Sequence, residues 1–164
     1  MTAMNIFEFG MQMEKDGEAY YRELAGKCGN RGLETIFTML ADSEVKHFNT
    51  LKEMAGTEGS SLPGSTLLAD VKNVFVEMRE QEKEFDFDIS QIDLYRKAQE
   101  LEKKSEAFYR ERSSAAENQS QKEIFEAMAT EEKQHAALLE NLIDFVSRPA
   151  TWLENAEWHN MEEY

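Results

Sequence analysis

The chain of 164 residues contains little cysteine, little proline and few basic side chains. Its single cysteine, Cys28, rules out an intramolecular disulfide framework and any zinc or iron–sulfur site built from several thiolates of this chain. Lysine and arginine number 18 against 33 aspartate and glutamate, which gives a formal net charge of −15. This balance argues against nucleic acid as a partner, because neutralising phosphates requires clustered basic residues.

Long apolar runs are also missing. No stretch approaches the ~18 apolar residues that a membrane span needs, and no basic amphipathic segment could hold an anionic membrane surface. The N-terminus lacks the charged and apolar regions of a signal peptide. We therefore expect a soluble, cytoplasmic protein in a reducing compartment, with no membrane partner.

Helix breakers are segregated, since six of the eight glycines fall within 26–32 and 56–64 and the two prolines are Pro63 and Pro149. Apolar residues recur at helical spacing between these marks, and no segment alternates like a strand, so the predicted class is all-α. The predicted long helices run over about 4–27, 32–55, 91–116 and 120–147. Ser90 and Ser120 each open a capping-box pattern at the start of the last two.

Two shorter segments complete the predicted domain organisation. An amphipathic stretch over 66–81 predicts a helical crossover within residues 56–90. Residues 149–164 are expected to form a short C-terminal helical tail that packs on the bundle or on a partner chain. The bundle itself is expected to span residues 1–148.

An internal repeat relates the two halves of the chain. Residues 11–54 align with 99–142 without a gap, at a constant offset of 88, and fourteen of the 44 pairs are identical. The repeat predicts one helical hairpin used twice, over about 4–55 and 91–147, and joined by the crossover.

Six polar side chains fall within the apolar stripes of the four long helices. They are Glu14, Glu44, His47, Glu102, Glu132 and His135. A core keeps buried carboxylates only where a cation or a dense hydrogen-bond network compensates them. Residues i and i+3 share a helix face, so each Glu-x-x-His pair presents both side chains to one centre. Helical bundles hold two metal ions with this ligand set, which takes one Glu from each of two helices and Glu-x-x-His from each of the other two. The set suits iron or manganese without excluding zinc.

Four side chains near these stripes have two interpretations each. Tyr21 and Tyr109 are either core aromatics or hydrogen-bond partners of the ligands that could donate protons in catalysis. Glu18 and Glu106 lie one turn beyond the predicted ligands of their helices, and are either extra ligands or ion-paired surface residues.

In these residues the chain resembles the rubrerythrin-like branch of the ferritin-like superfamily. The resemblance covers all four long helices, and residues 149–164 resemble the tail of short members that have no rubredoxin domain. It implies a ferritin-like four-helix bundle with a carboxylate-bridged di-iron centre, two iron ions per bundle, and assembly as a homodimer. It also implies reduction of hydrogen peroxide or reaction with dioxygen.

The resemblance assigns roles by position. Glu44 and Glu132 correspond to the bridging carboxylates, and Tyr21 and Tyr109 to tyrosines that hydrogen-bond the ligands. The terminal ligands would be Glu14, His47, Glu102 and His135.

The chain departs from the family pattern in two respects. Full-length rubrerythrins hold a further iron with four cysteines, so this chain is expected to take electrons from a separate protein such as a rubredoxin. The family also places a Glu one turn after the ligand on the third helix, a position that Ser105 occupies here, with Glu106 beside it.

Two other functions stay open from the sequence. The chain could bind or handle iron without a dedicated turnover, its acidic surface gathering Fe(II). It could also be a metal-free scaffold that contacts a partner through Trp152 and Trp158 in the tail.

Overall fold

The computed structural model describes residues 5–56, 65–81 and 89–148, in which the regular secondary structure is helical and no strand occurs. The helices are α1 (Ile6–Lys27), α2 (Arg31–Gly56), α3 (Leu67–Gln81), α4 (Ile92–Ser114) and α5 (Gln119–Ser147), with a 3₁₀ turn (Ile89–Gln91) before α4. The predicted all-α class is confirmed. The predicted tail helix, with Trp152 and Trp158, lies outside the described residues.

Asparagine side chains cap three of the helices. Asn5 Oδ1 accepts hydrogen bonds from two backbone amides at the start of α1. Asn30 and Asn118, which occupy the same position in the repeat, accept from the backbone amides three residues further on, at 3.0 and 2.9 Å. The capping boxes predicted at Ser90 and Ser120 are wrong, because Ser120 lies inside the first turn of α5 and Ser90 within the 3₁₀ turn.

The helices form two tightly packed hairpins that face each other. α1 packs along α2, and α4 along α5, far more extensively than either hairpin packs on the other. The C-terminal end of α1 lies beside the N-terminal end of α4, since Tyr20 Oη donates to the carbonyl of Leu94 at 2.8 Å and Gln91 Nε2 to that of Lys27 at 2.8 Å. The connecting helix α3 packs on α2.

The apolar core is divided into two clusters. The larger contains Phe37, Phe75 and Phe145 and is covered by α3, and the smaller contains Leu51 and Phe125. Along each of the four long helices, buried polar residues lie between the residues of one cluster and those of the other. The fold thus encloses a polar layer with apolar packing at both ends.

Candidate metal centre

All six predicted metal ligands are buried in this polar layer, with exposed fractions of at most 3%. They come from α1 (Glu14), α2 (Glu44, His47), α4 (Glu102) and α5 (Glu132, His135). Each lies on the apolar stripe of its helix, so the packing that buries the neighbouring leucines and phenylalanines also turns these side chains inward.

The six side chains form two overlapping groups. In each group the ligand atoms lie within 4.8 Å of one another, a spacing at which they could hold one metal ion. The groups are Glu14, Glu44, His47 and Glu132 on one side, and Glu44, Glu102, Glu132 and His135 on the other. Glu44 and Glu132 belong to both, so the arrangement offers two adjacent positions joined by two shared carboxylates.

The unpaired atoms of these residues fit a cationic occupant. Seven buried atoms make no hydrogen bond: Glu14 Oε2, Glu44 Oε1, His47 Nδ1, Glu102 Oε2, both carboxylate oxygens of Glu132, and His135 Nδ1. His47 Nδ1 and Glu132 Oε1 are 2.9 Å apart, but their geometry is not that of a hydrogen bond. Buried polar atoms are normally paired, because an unpaired one loses the hydrogen bonds it made to water. Oxygen and imidazole donors converging without a thiolate suit divalent iron, manganese or zinc.

Burial and neighbouring charges oppose ionisation of the two shared carboxylates, Glu44 and Glu132. Burial, followed by the nearby charge of Glu132, raises the pKa of Glu44 well above its ordinary value. Burial and the charge of Glu102 raise the pKa of Glu132 in the same way. Burial also opposes the ionised form of Glu102, but the adjacent His135 outweighs it and lowers that pKa to about 2. Two divalent ions would balance the four carboxylates.

Both imidazoles present the same nitrogen to the centre. His47 Nδ1 lies 2.9 Å from Glu132 Oε1 and 3.5 Å from Glu14 Oε1, and His135 Nδ1 lies 3.4 Å from Glu102 Oε2. The Nε2 atoms point away from the four candidate ligand carboxylates. Nδ1 is therefore the nitrogen available to a metal in each half.

The Nε2 atoms of His47 and His135 contact two residues that the sequence did not lead us to predict. Glu131 Oε1 lies 3.1 Å from His47 Nε2, and Ser43 Oγ lies 3.1 Å from His135 Nε2. Glu131 also forms an ion pair with Lys46, at 3.0 Å. Positions 43 and 131 are equivalent in the repeat, and each serves the histidine of the opposite half. The available signal was a polar residue directly before each Glu-x-x-His, at the same repeat position.

The two tyrosines also connect the halves. Tyr21 Oη on α1 donates to Glu102 Oε1 on α4 at 2.5 Å, and Tyr109 Oη on α4 donates to Glu14 Oε1 on α1. Burial and the charge of the accepting carboxylate raise both tyrosine pKa values well above the ordinary value. Both phenols thus keep their protons beside the candidate centre.

Glu18 and Glu106 lie outside both ligand groups. Glu18 forms an ion pair with Arg22 at 2.9 Å, and Glu106 with Arg110 at 3.2 Å, each one turn along its own helix. The structure therefore places Glu106, the predicted extra ligand, in a partly exposed ion pair.

Gly17 on α1 leaves room beside Glu44, one of the two shared carboxylates. A Cβ atom on Gly17 would lie 3.2 Å from Glu44 Oε2, closer than side chains ordinarily pack. Ser105 takes the equivalent position on α4 and is buried. α1 and α4 can thus approach the centre without displacing its carboxylates.

None of the helices in the described ranges is both long enough and apolar enough to cross a membrane.

Comparison with known proteins identifies the family. The Rubrerythrin family model matches residues 5–143 and, in a second match, residues 93–157. Neither the curated proteins nor the solved structures include a significant match. The first matched span holds all six predicted ligands and both tyrosines, on a fold of the predicted ferritin-like class. The chain therefore belongs to the rubrerythrin family.

Proposed function

We propose that this protein is a di-iron oxidoreductase that reduces hydrogen peroxide with electrons from a separate donor protein, such as a rubredoxin. The observation that carries the proposal is the pair of buried ligand groups that share Glu44 and Glu132. Two bound iron ions would supply the two electrons of the reaction and vacant positions for the oxidant. Dioxygen is the second oxidant that the site could accept.

The chain's own residues have distinct proposed roles. Glu44 and Glu132, common to both groups, would bridge the two ions, and the other four ligands would each hold one. Glu131 and Ser43 would fix the two imidazole rings by accepting from Nε2–H, which leaves Nδ1 free for the metal. The apolar clusters close the two ends of the ligand layer.

Tyr21 and Tyr109 would hold the protons that the reaction consumes. Hydrogen peroxide, two electrons and two protons give two molecules of water as the O–O bond breaks. Each phenol hydroxyl hydrogen-bonds a terminal ligand carboxylate, which would keep both hydroxyl protons next to the position where the O–O bond breaks.

The proposal is tested first by metal content and then by reaction. Elemental analysis of protein purified without added metal, with an anomalous-scattering map, should find two iron ions per chain at the six ligands. Stopped-flow absorbance should then record oxidation of the anaerobic ferrous protein by hydrogen peroxide, faster than that of free ferrous iron. Oxidation no faster than free iron would overturn the proposal.

A second candidate is an iron-handling protein without dedicated turnover. Within the described ranges no seventh side chain joins the two ligand groups, and Ser105 stands where the resemblance expects a glutamate. Native mass spectrometry after aerobic iron loading separates the two functions. More than two irons per chain favours iron handling, and two irons with rapid peroxide reduction favours the oxidoreductase.

A further inference from the structure

A cavity of about 480 Å³ opens between α1 and α4 and reaches the candidate metal centre. Glu44, which belongs to both ligand groups, and Glu102, which belongs to one, are among the residues that line it. Most of the remaining wall is apolar, formed mainly by Phe9, Met13, Leu101 and Phe108. The cavity therefore joins an apolar wall to the carboxylates and to Tyr21, which also lines it.

The cavity results from small residues where the two hairpins meet. Gly17 and Ser105, at equivalent repeat positions, both line it, together with Ala98. α1 and α4 contact each other much less than each contacts its own hairpin partner. The space between them is thus left open at the level of the metal ligands.

This space is much larger than hydrogen peroxide requires. A water molecule takes up about 30 Å³ of liquid, and hydrogen peroxide has only one more oxygen atom. Cavities of about 300–1,000 Å³ with apolar walls and a few polar groups are those that bind organic molecules. Phe9 and Leu101, which both line the cavity, remain 51% and 37% exposed, so apolar surface is open to solvent at its entrance.

The charges around the cavity disfavour an anionic ligand. Among the described residues that line it, one side chain is basic, Lys104, and two outside the ligand groups are acidic, Asp16 and Glu111. A fatty-acid carboxylate or a phosphate would meet net negative charge there. A neutral molecule with an apolar body and one polar end matches both the walls and the inner end.

We propose that the cavity binds a small, neutral organic hydroperoxide, with its alkyl or aryl group against Phe9, Met13 and Leu101 and its hydroperoxide group towards Glu44 and Glu102. The inference rests on the proposed function and names a second substrate class for it. The reaction breaks the O–O bond: the hydroperoxide, two electrons and two protons give the alcohol and water. The electrons come from the same external donor protein.

Binding can be measured without turnover. The full chain loaded with redox-inert Zn²⁺ is titrated calorimetrically with 2-phenyl-2-propanol, the alcohol formed from cumene hydroperoxide. We expect saturable 1:1 binding that Leu101→Glu and Phe9→Ala each weaken by about tenfold, since the first adds a charge at the mouth and the second removes apolar wall. The matched control is Val76→Glu, an equally exposed apolar residue on α3 that does not line the cavity, and it should bind like the unaltered protein. Absence of binding, or equal affinities in all variants, would overturn the inference.

A reaction series separates this inference from the proposed function. Ferrous protein is mixed in a stopped-flow instrument with hydrogen peroxide or with cumene hydroperoxide. Leu101→Glu should lower the ratio of the cumene hydroperoxide rate to the hydrogen peroxide rate, and Val76→Glu should not. Reaction with hydrogen peroxide alone would leave the proposed function standing and remove the organic substrate. Reaction with neither oxidant would remove the proposed function itself.

Discussion

At the scale of single residues, the two halves of the centre differ although their ligands repeat. His47 has a carboxylate at its Nε2 and His135 has a hydroxyl, because Glu131 and Ser43 occupy equivalent positions. A carboxylate partner makes an imidazole a stronger metal ligand than a hydroxyl does. The two metal positions should therefore differ in affinity, with the one at His47 filling first.

Glu131→Gln should weaken metal binding at the His47 position by roughly 10- to 100-fold and leave the other position nearly unchanged. The physical reason is the loss of the negative charge that polarises the His47 ring. Titration with Co²⁺, followed by its absorbance, resolves the two binding steps. Glu126→Gln, an exposed residue on the same helix, is the control. Two equal steps in the unaltered protein would contradict the expected asymmetry.

Gly17→Ala should weaken metal binding, because the added methyl group lies against Glu44 Oε2 and must move that shared carboxylate. Gly26→Ala is the matched control on the same helix, since its Cβ would meet no atom within 4 Å. An alanine in place of a helical glycine stabilises by roughly 0.5–1 kcal/mol, and we expect this gain in full only at Gly26. Metal titration and urea unfolding of both variants check the difference. Equal metal affinities would show that Glu44 tolerates the contact.

At the scale of helices, α3 does more than connect the hairpins. Val71 and Phe75 are fully buried, and the Phe75 ring meets Phe145 edge-to-face at 4.9 Å between centroids. The crossover thus closes one end of the core, next to the N-terminal half of α2 and the C-terminal half of α5. The predicted helix over 66–81 corresponds to α3 within one residue.

Phe75→Ala should destabilise the protein by about 3–5 kcal/mol, because it removes a fully buried ring and leaves a cavity. Val76→Ala, on the exposed face of the same helix, should change the free energy of unfolding by less than about 0.5 kcal/mol. Urea denaturation of the metal-loaded proteins measures both. A small effect of Phe75→Ala would mean that α3 is not part of the cooperative core.

At the scale of the whole molecule, the net charge of −15 divides into a buried and a surface part. The four candidate ligand carboxylates are buried, whereas the ion-paired Glu18 and Glu106 are partly exposed. Two divalent ions would bring the formal charge to −15 + 4 = −11. The stability of the folded chain should therefore depend on both metal and pH.

Without metal, the protein should unfold at a higher temperature at pH 5.5 than at pH 8. The pKa values of Glu44 and Glu132 are raised above 4.5 in the folded protein, chiefly by burial. That of His47 is raised above 6.5, because Glu14 and Glu131 outweigh the effect of burial. A group whose pKa is raised on folding stabilises the folded protein at pH values below its ordinary pKa. This stabilisation is lost as the pH rises through the raised pKa of the folded protein. The pKa of Glu102, lowered to about 2, acts oppositely, and its contribution is lost only below about pH 4.5.

Thermal unfolding of chelator-treated and metal-loaded protein, followed by circular dichroism at both pH values, measures this effect. Metal loading should reverse the trend, since the ions hold the carboxylates and imidazoles deprotonated and bind more weakly at low pH. A metal-free protein that is as stable at pH 8 as at pH 5.5 would contradict the prediction.

The helices and the six candidate ligands could be predicted because both depend on local periodicity. A polar side chain at i, i+3 spacing within an apolar stripe must turn inward with that stripe, as Glu44 and His47 do. The capping residue of α5 was mispredicted because Asn118 and Ser120 are both good caps, and the chain uses the earlier one.

The sequence by itself thus determined the all-α repeat, the inward faces and the residue types of the candidate ligands. Only the tertiary structure decided the partners across the halves, such as Glu131 with His47 and Tyr21 with Glu102, and the cavity between α1 and α4. The physical reason is that periodicity defines which face of a helix is buried. The rotation and axial shift of one hairpin against the other follow from how side chains of both hairpins pack together.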